Sequence, residues 1–370
     1  MLKILWLTNM PTIYRVHFFN ELGKLCDLKV IFERYHATGV PNYWEDSLAE
    51  NFQCTFLKTK DIGREGSIGF DVLKLPYELY DEVVISSYSS PTEMLALLKL
   101  KIKRIKYVFE VDGGIIKKDN FVIGGLKRFL ISGADLYFSS SDQTSKYLQF
   151  YGARAHQIKK YQFTSLYEKD VLINPVSKEE KKEHKRRLGI SEEKMILSVG
   201  QFIHRKGFDV LLKSYSGLKK DVAICIVGGT PLPEYKRIVE KYKMTNVYFV
   251  SNLAKGMLNE YYLAADIFVL PTREDIWGLV VNEAMAKGLP VVTTKNCVSG
   301  LELIENGKNG FIVSVENEEE LLQKTECLIS GELDLREMAD NNLIKIRQYT
   351  FEKMAERHME VFEERKRNEQ

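Results

Sequence analysis

No stretch of the chain approaches the roughly 18 uninterrupted apolar residues of a membrane-spanning helix, so the sequence offers no such span. The opening MLKILWLTNMP reads as a strand-length run closed by Asn9, Met10 and Pro11 rather than as a signal peptide. Cysteine is sparse: Cys26, Cys54, Cys225, Cys297 and Cys327 are scattered and form neither a C-x-x-C pair nor a Cys/His cluster. That excludes a disulfide framework and points to a reduced, cytoplasmic setting. Charge of one sign is missing too, since 53 Lys and Arg face 51 Asp and Glu for a net +2, which argues against a nucleic-acid partner. The first strand is not followed by G-x-G-x-x-G, which counts against a dinucleotide site there. No Asp-x-Asp triad of metal-ligand character appears, so neither metal nor cofactor is expected.

What is present is globular. Hydrophobic residues make up 45% and charged residues 28%, and 370 residues at about 150 per domain suggest two domains. Short β-type runs at 3–7, 28–32, 82–85, 106–110 and 135–138 alternate with helical stretches at 14–25, 91–98 and 142–151. The charged helical connector 177–194 marks the seam. Beyond it β-type runs at 195–200, 222–229, 247–250, 266–271 and 290–294 alternate with helices from 208, near 233–243, over 256–264 and from 278. The expected fold is α/β, with two doubly wound Rossmann-like domains, 1–176 and 177–350, facing across a cleft. A C-terminal helix of about 351–370, apolar at Phe351, Met354, Ala355, Met359 and Phe362, is expected to pack on them, crossing back to the first.

Ligands of such sheets sit at the carboxyl ends of strands. In ADIFVLPTREDIWGLVVNEAMAKGLPVVTT, 265–294, a strand ends at Pro271 and a helix starts near Gly278, so the N–H groups of Gly278, Leu279 and Val280 are expected to suit an anion. Asp275 and Glu283 flank those amides and could accept sugar hydroxyls. Alternatively Asp275 caps the helix and Glu283 is a solvated face residue. In SVGQFIHRKGF the loop after Gly200 carries His204, Arg205 and Lys206, two adjacent cations suited to a diphosphate or else a solvated basic turn. His204 alone is more often neither ligand nor base. Gly228, in the Gly-Gly pair at 228–229, either lets a ligand approach the backbone or serves a tight turn.

In the first half EVDGG, 110–114, places Glu110 and Asp112 at a strand end facing the expected cleft, where a carboxylate could bind acceptor hydroxyls or assist proton transfer, or simply form an Asp-Gly turn. Tyr14, Arg15 and His17 stand near the start of the first helix, with Phe18, Phe19 and Leu22 as core. Between 99 and 128, nine cations (Lys99, Lys101, Lys103, Arg104, Lys106, Lys117, Lys118, Lys127 and Arg128) face three acids, Glu110, Asp112 and Asp119. This local +6 is either a solvated face or a contact for anionic lipid or a lipid-linked phosphate.

The motifs GQFIHRKG and DIWGLVVNEAMAKGLPVV resemble those of the retaining glycosyltransferases of family 4 (group 1), enzymes of GT-B fold that use nucleotide sugars. The resemblance covers nearly the whole chain and is most specific over 195–294. It implies that Lys206, helped by Arg205, binds the donor diphosphate, that Asp275 stands near the donor sugar, and that Glu283 holds the ribose hydroxyls. Asp275 replaces the family's usual Glu, and Gln201 stands where many members carry Arg. The first half has no counterpart of the family's glycine-rich turn, and EVDGG stands where a His is common. TNMPTIYR, EVDGG and YQFTSL (161–166) resemble enzymes building bacterial surface polysaccharides.

The expected reaction is metal-independent transfer of a hexosyl-type sugar from a nucleotide diphosphate sugar to a carbohydrate or lipid-linked saccharide hydroxyl, with retention. The amides at 278–280, Arg205 and Lys206 would stabilise the leaving diphosphate, at Gly200 and Gly228 the backbone would approach the donor, and Asp112 would serve the acceptor. The expected location is cytoplasmic, with peripheral contact at the inner face of the membrane. Two alternatives are a nucleotide-sugar 2-epimerase on the same fold and a non-catalytic nucleotide-sugar-binding subunit.

Overall fold

The computed structural model describes residues 1–36, 45, 48–62, 66–117, 119–218 and 221–369. Lys118, one of the nine cations named above, lies outside the described residues. The chain divides into two compact units, 1–164 with 350–370, and 165–349. The division falls between Thr164 and Ser165, ahead of the charged connector taken from sequence as the seam. That connector belongs wholly to the second unit.

The first unit is built on a seven-stranded sheet. Its strands are β1 (Lys3–Thr8), β2 (Asp27–Phe32), β3 (Gln53–Phe56), β6 (Glu82–Ile85), β7 (Val108–Val111), β8 (Leu136–Ser139) and β9 (Ile158–Lys160), in the order β3-β2-β1-β6-β7-β8-β9 and all parallel. A small antiparallel pair, β4 (Lys60–Ile62) and β5 (Gly66–Ile68), stands apart from the sheet. The helices are α1 (Ile13–Gly23), α2 (Pro91–Lys103), α3 (Phe121–Ile131) and α4 (Asp142–Phe150). Parallel strands covered on both faces carry near-continuous apolar runs, and KILWLT and LYFS do so. α2 starts at a capping box, with Ser90 Oγ accepting from Glu93 N–H and Pro91 in the first turn, and it runs past the expected 98 to Lys103.

The C-terminal helix, Phe351–Glu369, packs on α1 within this first unit. Phe351, Met354, Ala355, Met359 and Phe362 are buried at helical spacing, as is His358. The His358 ring sits among Phe138, Tyr161 and Phe18, with centroid separations of 4.1, 4.8 and 4.9 Å.

The second unit repeats the plan with α5 (Lys178–Arg187), α6 (Phe208–Ser214), α7 (Pro233–Lys241), α8 (Lys255–Ala264), α9 (Leu279–Met285), α10 (Val298–Leu303), α11 (Glu318–Ile329) and α12 (Leu335–Ile346) around a six-stranded parallel sheet. Its strands are β10 (Lys194–Val199), β11 (Val222–Val227), β12 (Val247–Val250), β13 (Ile267–Leu270), β14 (Val291–Thr294) and β15 (Gly310–Val313), in the order β12-β11-β10-β13-β14-β15. The chain winds one way from β10 to β12 and the other way from β13 to β15. The order therefore reverses between β10 and β13, and the loops leaving these two strands border the switch-point crevice.

Candidate functional site

The loop after β10 is held against the loop after β13. Gly207 lies at φ 71° between the short His204–Lys206 turn and α6, and a Cβ there would sit 2.1 Å from the Pro271 carbonyl oxygen. Only glycine fits. Arg273 fastens the same loop: its N–H donates to Arg205 O at 2.8 Å, its Nη1 donates to His204 O at 2.7 Å, and its guanidinium grips the buried Asp209 through two bonds of 2.8 Å. Asp209 raises the Arg273 pKa, and that pairing outweighs burial to hold the Asp209 carboxyl below its ordinary value. Sequence reasoning missed Arg273, although it lies inside the TREDIWG segment.

This clamp delivers both candidate cations to one carboxylate. Lys206 Nζ pairs with Asp275 Oδ2, while Arg205 Nη1 donates to Asp275 Oδ1 at 3.3 Å and to Glu274 O at 2.8 Å. The Lys206 and Asp275 side chains are 12% and 10% exposed, and that of Arg205 is 42% exposed, so Lys206 is no solvated turn residue. Asp275 does not cap α9; the N-cap is Gly278, at φ 95°, where a Cβ would press on Cys297 Sγ at 3.1 Å and Ser299 Oγ at 3.2 Å. Asp275 is instead fixed by backbone pairing with the loop after β14, donating to Asn296 O at 2.9 Å and accepting from Val298 N–H at 3.2 Å. The first turn of α9 begins at Leu279 and Val280, whose N–H groups have no preceding helical carbonyl to meet.

Glu283 is not a solvated face residue. Tyr262 Oη donates to its Oε2 at 2.9 Å and Ser165 Oγ to its Oε1 at 3.3 Å. Burial raises its pKa, with both hydroxyls opposing. Neither partner was found from sequence, because they lie 21 and 118 residues away. Gly228 uses its missing side chain for the chain's own backbone: a Cβ would sit 1.7 Å from Gly200 O, so the turns after β10 and β11 touch there. His204 is exposed and takes part through its carbonyl.

In the first unit Glu110 and Asp112 share one cation. Arg15 Nη1 donates to Glu110 Oε2 at 2.5 Å and Nη2 to Asp112 Oδ1 at 2.6 Å. Glu110 is fully buried and also accepts from Ser86 Oγ at 3.0 Å, with His358 Nε2 at 3.5 Å from its other oxygen. It is therefore a core residue, not the cleft-facing one expected. Asp112, 24% exposed, accepts in addition from Tyr161 Oη at 2.9 Å and Tyr14 Oη at 3.2 Å. Burial and the charge of Glu110 raise the Asp112 pKa against the pull of Arg15. For Glu110 burial is outweighed by Arg15 and His358, and its pKa falls.

Both units are thus doubly wound, and their combined fold is that of the GT-B glycosyltransferases. Residues 180–345 match the family model of the glycosyl transferases group 1, so the second unit carries a glycosyltransferase group 1 domain. An uncharacterised glycosyltransferase of Haemophilus influenzae is 34% identical over 178 residues, 46% of this chain and 50% of that protein. The capsular polysaccharide biosynthesis glycosyltransferase CapM of Staphylococcus aureus is 28% identical over 182 residues, 48% of this chain and 46% of that one. The chain spans about half the length of these curated relatives. Among solved structures, a glycosyltransferase from Rickettsia africae superposes with a TM-score of 0.76 at 17% identity, covering 98% of this chain and 97% of that one. Anabaena Alr3699/HepE, in complex with UDP and glucose, does so with 0.75 at 17% identity, covering 98% and 100%. At such identity the likeness is one of fold.

Proposed function

We propose that this protein is a retaining glycosyltransferase of family 4, which moves a hexosyl-type sugar from a nucleotide diphosphate sugar to a carbohydrate or lipid-linked saccharide hydroxyl in bacterial surface-polysaccharide assembly. The observation that carries this reading is the convergence of Lys206 and Arg205 on Asp275 at the switch point of a glycosyltransferase group 1 domain. Two cations on one carboxylate leave a net positive charge and spare N–H donors at the place where open α/β sheets bind ligands.

In this mechanism the donor diphosphate takes Lys206 and Arg205 from Asp275. As the bond from the anomeric carbon to the phosphate oxygen breaks, the charge gathering on the diphosphate is stabilised by those cations and by the N–H groups of Gly278, Leu279 and Val280. Asp275, released, accepts a hydroxyl of the sugar, and Glu283 accepts ribose hydroxyls beside Tyr262. Gly200 and Gly228 supply a backbone floor without side chains. The acceptor oxygen bonds to the anomeric carbon on the face the phosphate leaves, and its proton passes to the departing phosphate oxygen. Asp112 accepts from the acceptor hydroxyl, since its three donors leave room for one more of the roughly four that a carboxylate can take. The charges needed come from side chains and amides, so the reaction as written calls for no metal. The enzyme would work in the cytoplasm, where peripheral contact with the inner face of the membrane would bring it to a lipid-linked acceptor.

NMR of the product formed from a nucleotide sugar tests the reaction. Retention at the anomeric carbon is expected; inversion overturns the same-face displacement, and an epimerised donor in the absence of acceptor overturns transfer itself.

A further inference from the structure

The surface of the first unit carries a helix with its apolar side turned outward. In α3 the side chains of Phe121, Val122, Leu126 and Phe129 are 96%, 76%, 49% and 50% exposed. Val122, Leu126 and Phe129 stand four and three residues apart, with Phe121 next to Val122, which sets them along one side of the helix, while Leu130 and Ile131 anchor the helix end in the core. The end of α2 lies beside this stripe, because Lys101 Nζ reaches from α2 to the carbonyls of Phe129 and Ser132. Ile102, 70% exposed, adds to the patch. Exposed apolar groups gathered in this way mark an interaction surface.

The cations around the patch decide what it fits. Lys103 and Arg104 follow Ile102 and are exposed, and Arg128, exposed on α3 itself, gives one Nη2 hydrogen to the Phe150 carbonyl at 2.8 Å and keeps its charge and its other donors. Of the other cations in the 99–128 cluster, Lys127 is neutralised by Asp119 at 2.8 Å, while Lys99 is turned to the Leu75 carbonyl at 2.9 Å and keeps its charge. The cluster's other two acids, Glu110 and Asp112, are held by Arg15 and offset none of this surface charge. An apolar stripe edged by long cationic side chains matches the boundary between acyl chains and anionic headgroups, with the stripe among the chains and the cations at the phosphates. At about 1.5 Å per residue, eleven residues are too short to cross a bilayer and long enough to lie in its surface.

We propose that α3 and the end of α2 dock this protein on an anionic lipid bilayer, with Phe121, Val122, Leu126 and Phe129 entering the headgroup–acyl boundary and Lys103, Arg104 and Arg128 meeting lipid phosphates. The surface is separate from the residues proposed for sugar transfer, so a binding assay without sugar donor reads it independently of that reaction.

The experiment is flotation of the full chain with phosphatidylcholine vesicles, with and without phosphatidylglycerol. Binding is expected only with the anionic lipid and is expected to weaken in high salt. The double variant Phe121→Ser, Val122→Ser should bind on the order of a hundredfold more weakly while its thermal transition stays put, since both side chains lie in solvent and Asn120 still caps the helix. Lys103→Gln with Arg104→Asn should bind roughly tenfold more weakly; Asn suits the left-handed backbone of Arg104, at φ 54°. The proposal is overturned by equal binding to both vesicle types, by no binding to either, or by binding that Phe121→Ser, Val122→Ser leaves unchanged. Self-association abolished by that variant, in place of vesicle binding, also overturns it and assigns the patch to a second copy of the chain.

Discussion

Each unit ends its central strands in a carboxylate gripped by arginine, and the two differ in which charge is left over. In the second unit Lys206 and Arg205 share Asp275, so cations are in excess. In the first, one guanidinium, that of Arg15, serves Glu110 and Asp112, so carboxylates are in excess. The same architecture thereby leaves cationic groups over in one unit and carboxylate oxygens over in the other. In the reaction proposed above, the sign of the residual charge is what gives the donor to the second unit and the acceptor to the first.

The strongest test of this contrast is Lys206→Ala, which removes the more buried of the two cations. Turnover of a nucleotide sugar should fall by about 10²–10³-fold, as for loss of one donor to a transition-state anion, without a matching drop in thermal stability. Unchanged kinetics would remove Lys206 from the mechanism and leave the cation excess without a function. In the first unit the corresponding cut is Arg15→Met. It strands the buried Glu110 and the half-buried Asp112 and should destabilise the unit by about 3–5 kcal/mol, read as a lower denaturation midpoint; adding Glu110→Gln should restore part of the loss.

Another buried carboxyl of the first unit is that of Glu93, at the start of α2. Burial and the neighbouring charge of Glu33 push its pKa up from 4.5 to about 8. The folded chain then keeps a proton that the unfolded chain releases, so this group's stabilisation is complete below about 4.5 and is lost as pH rises to about 8. Glu93→Gln should flatten the decline of thermal stability over that window, and an unaltered slope would mean that Glu93 is ionised throughout. The smallest effect is expected for Tyr262→Phe, which takes one hydrogen bond from Glu283 and should cost about 1 kcal/mol in chemical denaturation. A KM for donor that rises with it would tie Glu283 to the ligand; a stability change alone would leave it structural.

Much of this is legible in the sequence. Alternating apolar runs and helical spacing placed β1, β2, β6 and the main strands of the second unit, because buried parallel strands write themselves as local hydrophobic runs. The short β3, β9 and β15 were not recognised, and each pairs with only one neighbour in its sheet. α3 went unrecognised as a helix, since its outward apolar face gives no alternation of buried and solvated sides. Asp275, Lys206 and Arg205 stood out as charges beside glycines at strand ends. Arg273, Tyr262 and Ser165 did not, because what distinguishes them is their partners.

Sequence alone was enough for two doubly wound units and for the kinds of group gathered at their strand ends, since both are written in short-range patterns of apolar, glycine and charged residues. Which charges meet depended on folding. Lys206 and Asp275 are 69 residues apart, Arg15 and Glu110 are 95 apart, and His358 comes to Glu110 from the far end of the chain. Those pairings follow from the order of strands in each sheet and from the return of the C-terminal helix, and a Coulomb interaction acts over a few ångströms of space whatever the length of chain between its partners.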